Sequence, residues 1–246
     1  LGGWFTTLGG GTFRDLSVNN APATLPTTAT FTPTVFGGAA CILDGASTIS
    51  SPDSAALDLT LNGTLALWVN FVSITSNPFL MGKSGSAGSN VNSEYRWELF
   101  GGTLYLTLGN GASAFTQVGV AWSPSSNVWY RMMVAWNGTT TTFYQNGLIL
   151  GSGQAQGSYS TGTQTVALQI GNDTVYDNSG TRGINGKVFD AMLWNRTLTA
   201  AEAWADFDPE TRWDLYRKTT KDGPYTSAAA FTGDEEGLTH SFVTNW

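Results

Sequence analysis

The clearest hydropathy pattern lies between Val128 and Leu150, where VWYRMMVAWNGTTTTFYQNGLIL reads as three short strands joined by two tight turns. Asn137-Gly138 and Asn146-Gly147 accept positive φ at low steric cost, so both predict two-residue hairpin loops. With such a loop at Asn137-Gly138, Met132 faces Phe143, Val134 faces Thr141 and Trp136 faces Thr139. One face then carries Met132, Val134, Trp136 and Phe143 and is apolar. The other carries Arg131, Met133, Thr140, Thr142 and Tyr144 and is mixed. This predicts a half-buried antiparallel sheet, with its register held by the apolar face.

The same reading extends along the chain. Ala39 to Ile49 is a strand pair broken at Asp44-Gly45, and Asp53 to Leu59 is a link. Thr64 to Ile74 alternates with apolar residues on both faces, as a central strand does. Phe79 starts a strand, Lys83 to Ser93 is a loop, and Tyr95–Phe100 and Thr103–Leu108 form a hairpin about Gly101-Gly102. Further strands are expected at Gln117–Trp122, Val166–Ile170 and Lys187–Trp194, with a polar loop over Asn172–Asn185. Thr199-Ala-Ala-Glu202 is a capping box that predicts a short helix from Ala200 to Phe207, ended by Pro209. Residues 1–11 read as the entry segment, and over residues 1–30 the chain is expected to be extended and edge-following, with Pro22, Pro26 and Pro33 keeping this part out of central strands. Asp214-Leu215-Tyr216 closes the compact region, so residues 12–216 form one sandwich. Residues 217–246 read as an extended C-terminal arm that needs a partner surface.

Composition agrees with an all-β fold. The chain has 246 residues, 30 Gly and 10 Trp, and 12% of its residues are charged, against about 25% in an average globular chain. Helices with charged outer faces therefore have little to be built from. Net charge is −7 and basic residues are not clustered, which argues against binding nucleic acid through its phosphates. No apolar run is long enough for membrane insertion. The single cysteine, Cys41, sits in an apolar stretch and reads as a buried small hydrophobe. No signal peptide is visible and the first residue is Leu1, so the start is expected to be either processed or incomplete. Asn-x-Ser/Thr tripeptides at Asn62, Asn137, Asn172 and Asn195 read as chance occurrences in an Asn- and Thr-rich chain.

Three segments in order carry a resemblance. Leu43-Asp44-Gly45 is followed by Leu57-Asp58-Leu59 and the Leu65–Val69 strand. Trp129 to Gly147 is the second, with its Trp, Val, Gly, Tyr and Gly spacing. Then come Ile170-Gly171, Asn185-Gly186-Lys187-Val188-Phe189-Asp190 and Leu193-Trp194-Asn195-Arg196-Thr197-Leu198-Thr199. Together they resemble the laminin-G-like, pentraxin-like branch of the concanavalin A-like lectin/glucanase superfamily, over roughly residues 12–216. The resemblance implies a two-sheet antiparallel jelly-roll-like sandwich with one short C-terminal helix. It does not imply one function, because this fold hosts lectins, adhesion modules, virion modules and glycanases. The ending Asp208 to Tyr216 is similar to the segment that trails this domain in many bacteriophage structural proteins.

Candidate chemistry is sparse. Sugar hydrolysis needs two carboxylates held about 5–10 Å apart, and the glycanases of this superfamily carry them as Glu-x-Asp-x-(x)-Glu on one strand. None of the six Glu lies in such a pattern. Glu94 and Glu98 are the only near approach, and Glu98 beside Arg96 reads more simply as an exposed strand position. His240 and Cys41 offer no nucleophile–imidazole pair. The resemblance implies calcium more readily. The loop after Gly171 offers Asn172, Asp173, Asp177 and Asn178, and Asp190 with the turn at Asp44 is a second candidate. The competing reading makes Asp173 and Asp177 solvated loop residues and has Asp190 bonding to backbone amides. Trp97, Trp122 and Tyr176 lie near loops and are the glycan-stacking candidates.

The expectation is a non-enzymatic module of a larger assembly. The first choice is a bacteriophage virion protein, capsid-decorating or tail-associated. It would sit on the virion surface, dock on neighbouring subunits through its termini, be oligomeric there and bind host glycans. The rival is a carbohydrate-binding or adhesion module of a secreted or cell-surface bacterial protein, with a glycanase third.

Overall fold

The computed structural model describes residues 2–8, 12–15, 23–27, 29–34, 39–59, 61–74, 77–85, 90–110, 114–155, 164–175 and 182–208. In chain order the early strands are β1 (Gly2–Leu8), β2 (Thr12–Asp15), β3 (Ala23–Thr24), β4 (Thr30–Pro33), β5 (Ala39–Asp44), β6 (Ile49–Ser51) and β7 (Gly63–Ser73). They are followed by β8 (Phe79–Lys83), β9 (Tyr95–Phe100), β10 (Thr103–Gly109), β11 (Phe115–Ala121), β12 (Trp129–Trp136), β13 (Thr140–Gln145) and β14 (Leu148–Ala155). The last are β15 (Leu168–Ile170), β16 (Asn185–Trp194) and the helix α1 (Ala200–Phe207).

All pairings are antiparallel and make two packed sheets. The helix-side sheet runs β4-β5-β16-β7-β12-β13-β14, and the far sheet runs β2-β3-β6-β15-β8-β9-β10-β11. β1 pairs with β16 at Gly2 and Gly3 and with β2 from Trp4 to Leu8, with a register shift between Trp4 and Thr7. β1 thus carries pairing from one sheet to the other. Pro33 lies in β4, which pairs with β5 alone, so its missing N–H breaks no ladder on the other side.

β7 is the central strand, flanked by β16 and β12. Its period-two pattern explains why both faces are dry. Leu65, Leu67, Val69 and Phe71 enter the core between the sheets, while Ala66 and Trp68 face the other way into two smaller apolar clusters. Tyr95, Trp97, Leu99, Leu104, Leu106 and Leu108 reach the same core from the far sheet. Cys41 is buried in it, and burial pushes its thiol up to about 12, so it behaves as the hydrophobe expected.

The central hairpin corrects one expectation. Met132 lies opposite Gln145, Val134 opposite Phe143 and Trp136 opposite Thr141, two residues away from the predicted register. The cause is Asn137, whose Oδ1 accepts from the amides of Thr139 and Thr140 at 3.0 and 2.8 Å and holds a longer loop. Because the shift is an even number, every side chain keeps its predicted face. Asn146-Gly147 does form the two-residue turn, with φ of 53° and 75° and Gln145 opposite Leu148.

The mixed face of that hairpin is also drier than expected. Met133, Ala135 and Tyr144 are buried with Ala66, Met192, Trp194, Leu198 and Ala203, because α1 folds across them. Thr199 caps the helix as predicted: its hydroxyl accepts from the Glu202 amide, and Glu202 reaches back to the Thr199 amide at 2.8 Å. Asp208 leaves the helix extended, at φ −73° and ψ 116°, as a residue before proline should. Among the described residues no helix is long and apolar enough to cross a membrane. The expected arm, residues 217–246, lies outside the described residues.

Candidate functional site

One end of the sandwich gathers the turns after β5, β7, β9, β11 and β13 and the segment before β16. Between them is a cleft of about 300 Å³ lined by Ile74, Asn77, Leu99, Gly102, Trp122, Ser123 and Pro124. Each wall is fixed locally. The Asn77 Oδ1 accepts from the Gly101 amide at 3.0 Å and sets the β9–β10 turn. The Trp122 amide donates to the Gly102 carbonyl at 2.9 Å, and its indole N–H donates to the Gln145 Oε1 at 2.7 Å. Its ring packs on Phe71 at 6.0 Å and edge-on to Tyr130 at 5.7 Å. The Tyr130 hydroxyl accepts from the Ser125 amide at 2.9 Å, tying down the loop that carries Ser123 and Pro124. The result is an open cleft lined by apolar Ile74, Leu99, Trp122 and Pro124 and by the amide and hydroxyl side chains of Asn77 and Ser123, a mixture that suits a polyhydroxylated ring.

The sequence candidates disperse. Trp122 reaches the cleft, but is only 4% exposed and presents little more than an edge. Trp97 is fully buried in the main core and offers no face to a ligand, so that candidate is withdrawn. Its strand position places it with Tyr95 and Leu99 on the inner side of the far sheet. Tyr176 lies outside the described residues.

Of the four aspartates, the three that lie among the described residues, Asp44, Asp173 and Asp190, do not assemble. Asp44 caps its own turn, its Oδ1 accepting from the amides of Ala46 and Ser47 at 3.0 and 2.8 Å. Those bonds, the Ala46 amide first, hold its carboxyl below the usual range. Asp173 is buried, and its Oδ1 accepts from the Val175 amide at 3.1 Å. Asp190 sits further along β16, in a bulge with φ of 51°. Arg131 Nη1 donates to its backbone carbonyl at 2.7 Å and lies 3.6 Å from its carboxylate. The Arg131 guanidinium is thus a charged neighbour of Asp190 that the sequence did not indicate. Asp177 lies outside the described residues. The loops of Asp44 and Asp173 do meet, since Asn172 Nδ2 donates to the Ala46 carbonyl at 2.7 Å and the Thr48 hydroxyl donates to the Asn172 carbonyl at 2.8 Å. The buried Asn172 Oδ1 has no partner there. One such oxygen is not a calcium site, which takes six to eight. Among the described residues no three acidic, His or Cys side chains gather around a common point, and Asn178, like Asp177, lies outside the described residues.

Glu94 and Glu98 part company. Glu98 is buried, with Arg96 Nη2 donating to its Oε1 at 2.7 Å and Arg182 donating to its Oε2, which corrects the exposed position expected of it. Arg182 also lies 5.3 Å over the ring of Phe100. Glu94 turns into a second network at the opposite end of the sandwich. There the buried Lys83 ammonium lies 2.7 Å from Asp53 and 3.1 Å from Glu94 and pairs also with Asp58. The Leu59 amide donates to the Glu94 Oε1 at 2.8 Å. Burial pushes the Glu94 carboxyl above its ordinary value, against the pull of the Lys83 ammonium. Burial pulls the Lys83 ammonium down, and its three carboxylate partners outweigh that and raise it. Neither carboxylate faces the cleft.

Sequence reasoning missed these networks. It treated Lys83 as the start of a loop and Arg131 as part of a mixed face. The available signal was the scarcity of charge itself: in a chain this poor in charged residues, a cation inside an apolar strand is a candidate for a buried pair.

A family model matches residues 43–203, described as the concanavalin A-like lectin/glucanases superfamily. The chain belongs to that superfamily. Similar solved structures include the binding domain of Paraclostridial Mosquitocidal Protein 1, with a TM-score of 0.65 at 13% identity, covering 84% of this chain and 51% of that one. The Botulinum Neurotoxin serotype G binding domain matches with a TM-score of 0.65 at 14% identity, covering 89% and 52%. The serotype D ligand binding domain in complex with N-acetylneuraminic acid matches with a TM-score of 0.64 at 11% identity, covering 84% and 50%. The superfamily member described here thus spans about half the length of these domains, and at this identity the likeness is one of fold. No curated protein sequence matches the chain.

Proposed function

We propose that this superfamily member is a non-catalytic binding module whose cleft beside Trp122 holds a glycan ring. The cleft carries the reading: Ile74, Leu99 and Pro124 give it apolar surface, and Asn77, Gly102 and Ser123 bring amide and hydroxyl groups beside it. The state of Glu94 and Glu98 supports the absence of hydrolysis. Each is buried and consumed by cations or amides in a different network, whereas glycoside cleavage needs two carboxylates facing one cleft. Sugar release that is lost in Glu94→Gln or Glu98→Gln would overturn this part.

The module is further proposed to work inside a larger assembly, first of all a bacteriophage virion. The sandwich would be the outward platform and residues 217–246 the attachment to neighbouring subunits. Support comes from the low charge, the pinned carboxylates and the likeness of residues 208–216 to the segment that trails this domain in phage structural proteins. A second reading, a surface or secreted bacterial adhesion module, is supported by the toxin binding domains of the same fold.

Two measurements test these readings. On a glycan array run with and without calcium, Ser123→Trp, which fills the cleft from its exposed rim, is expected to abolish binding without lowering the melting temperature. Unchanged binding removes the cleft. Sedimentation of the native source separates the two settings: travel with a large symmetric particle favours the virion, and a free monomer favours the adhesion module.

A further inference from the structure

Where α1 meets the Asn146-Gly147 turn, the helix-side sheet leaves an apolar ridge uncovered. Ile149 is 54% exposed and Trp204 is 44% exposed. Phe207 stacks on Trp204 at 5.8 Å and on Trp68 at 5.9 Å, so the ridge is continuous with the apolar cluster beneath it. The helix packs closely on the turn: a β-carbon at Gly147 would fall 2.9 Å from the Trp204 ring. Glu202 and Asp206 on α1 are paired with Arg196 and Arg131, and the last turn of the helix has no basic residue of its own, although a helix C-terminus favours a cation.

We propose that this ridge is a docking surface for residues 212–216 of the same chain. The chain reaches Asp208 one residue after Phe207, in an extended conformation that leads away from the helix axis. Beyond Pro209 and Glu210 the sequence continues Thr211-Arg212-Trp213-Asp214-Leu215-Tyr216-Arg217. This stretch offers three apolar side chains, Trp213, Leu215 and Tyr216, to an apolar ridge. It also offers Arg212 and Arg217 to the C-terminal end of a helix whose last turn has no basic residue. Trp213 is five residues beyond Asp208, a reach of roughly 17 Å when extended, which is enough to return over Phe207, Trp204 and Ile149. Covering the ridge this way removes an exposed aromatic patch from water. It also leaves residues 217–246 starting beside α1.

The test uses the full chain with Ile149→Cys and Leu215→Cys and a short bismaleimide cross-linker. Cys41 is buried with its thiol pushed up to about 12, so it stays silent. The expected result is a cross-link within one chain, at least about tenfold faster than in a control pairing Ile149→Cys with Ser227→Cys, reflecting the higher effective concentration of a docked segment. A cross-link between two chains would assign the ridge to a second copy and overturn the proposal. A rate equal to the control would overturn it as well. Hydrogen exchange gives an independent reading. In Trp213→Ala/Leu215→Ala/Tyr216→Ala the amides of α1 and of Leu148 and Ile149 are expected to exchange faster than in the parent, while β7 does not change. Unchanged exchange in α1 refutes the docking even if the thiol variants fail to fold.

Discussion

Under α1, the buried Arg131 guanidinium donates to Asp206 at 2.6 Å and to the Asp190 carbonyl. At the end of the sandwich away from the cleft, the buried Lys83 ammonium gathers Asp53, Asp58 and Glu94. Both are single cations taken out of water, but their surroundings differ. Arg131 is a planar fork whose partners come from two elements, and an apolar cluster seals it. Lys83 is a point charge outnumbered by carboxylates, two of which keep contact with solvent at 34% and 19% side-chain exposure. The first network docks a helix and tolerates little change. The second carries excess negative charge, relieved by water and by protons.

The largest expected effect comes from breaking the sealed network. Asp206→Ala leaves the buried guanidinium with only the more distant Asp190 carboxylate, at 3.6 Å, and is expected to cost about 3 kcal/mol, read by urea denaturation. A loss below about 1 kcal/mol would mean that water reaches Arg131. Lys83→Met is expected to cost less, about 2–3 kcal/mol, because Asp53 and Asp58 can turn to solvent. Adding Glu94→Gln to it should recover part of that loss, since the double variant no longer buries an unpaired carboxylate. Thr199→Ala removes the helix cap and should cost about 1 kcal/mol, with hydrogen exchange rising in α1 and not in β9.

The smallest effects are in pH dependence, and they run in opposite directions. The folded Glu94 carboxyl lies above its ordinary 4.5 because burial outweighs Lys83. Its contribution is fully present below 4.5 and is lost as pH rises through the raised folded value. Burial also lifts Glu202, but the Thr199 amide and hydroxyl and the Arg196 pair outweigh it and hold it below 4.5. Its contribution is present above 4.5 and is lost as pH falls through the lowered value. In thermal melts between about pH 3 and 7, Glu94→Gln should steepen the loss of stability on acidification and Glu202→Gln should flatten it. Parallel shifts in the two variants would show that the surroundings of these carboxylates do not differ as described.

Much of the fold was legible because it rests on local rules. Alternation in Leu65–Phe71 marked a central strand, Asn146-Gly147 marked the β13–β14 turn, and Thr199 with Glu202 marked the helix start to the residue. Asn137-Gly138 is the instructive miss. The same kind of dipeptide closes a longer loop there, since the Asn137 side chain bonds to Thr139 and Thr140, and dipeptide chemistry alone does not choose between the two. Trp97 and Trp122 both lie near strand ends in sequence. Only the packing of the sheets buries the first entirely and brings the second to a cleft.

Taken alone, the sequence determined which residues alternate, where the chain turns and which face of each strand is apolar. Those properties depend on neighbours within a few positions, where backbone geometry imposes a period of about two or 3.6. Only the tertiary structure decided which charges meet. Arg131 and Asp206 are 75 positions apart, and Arg182 and Glu98 are 84 positions apart. No local period links such residues, and a carboxylate becomes an ion-pair partner, a cap or a solvated group according to what the folded chain brings beside it.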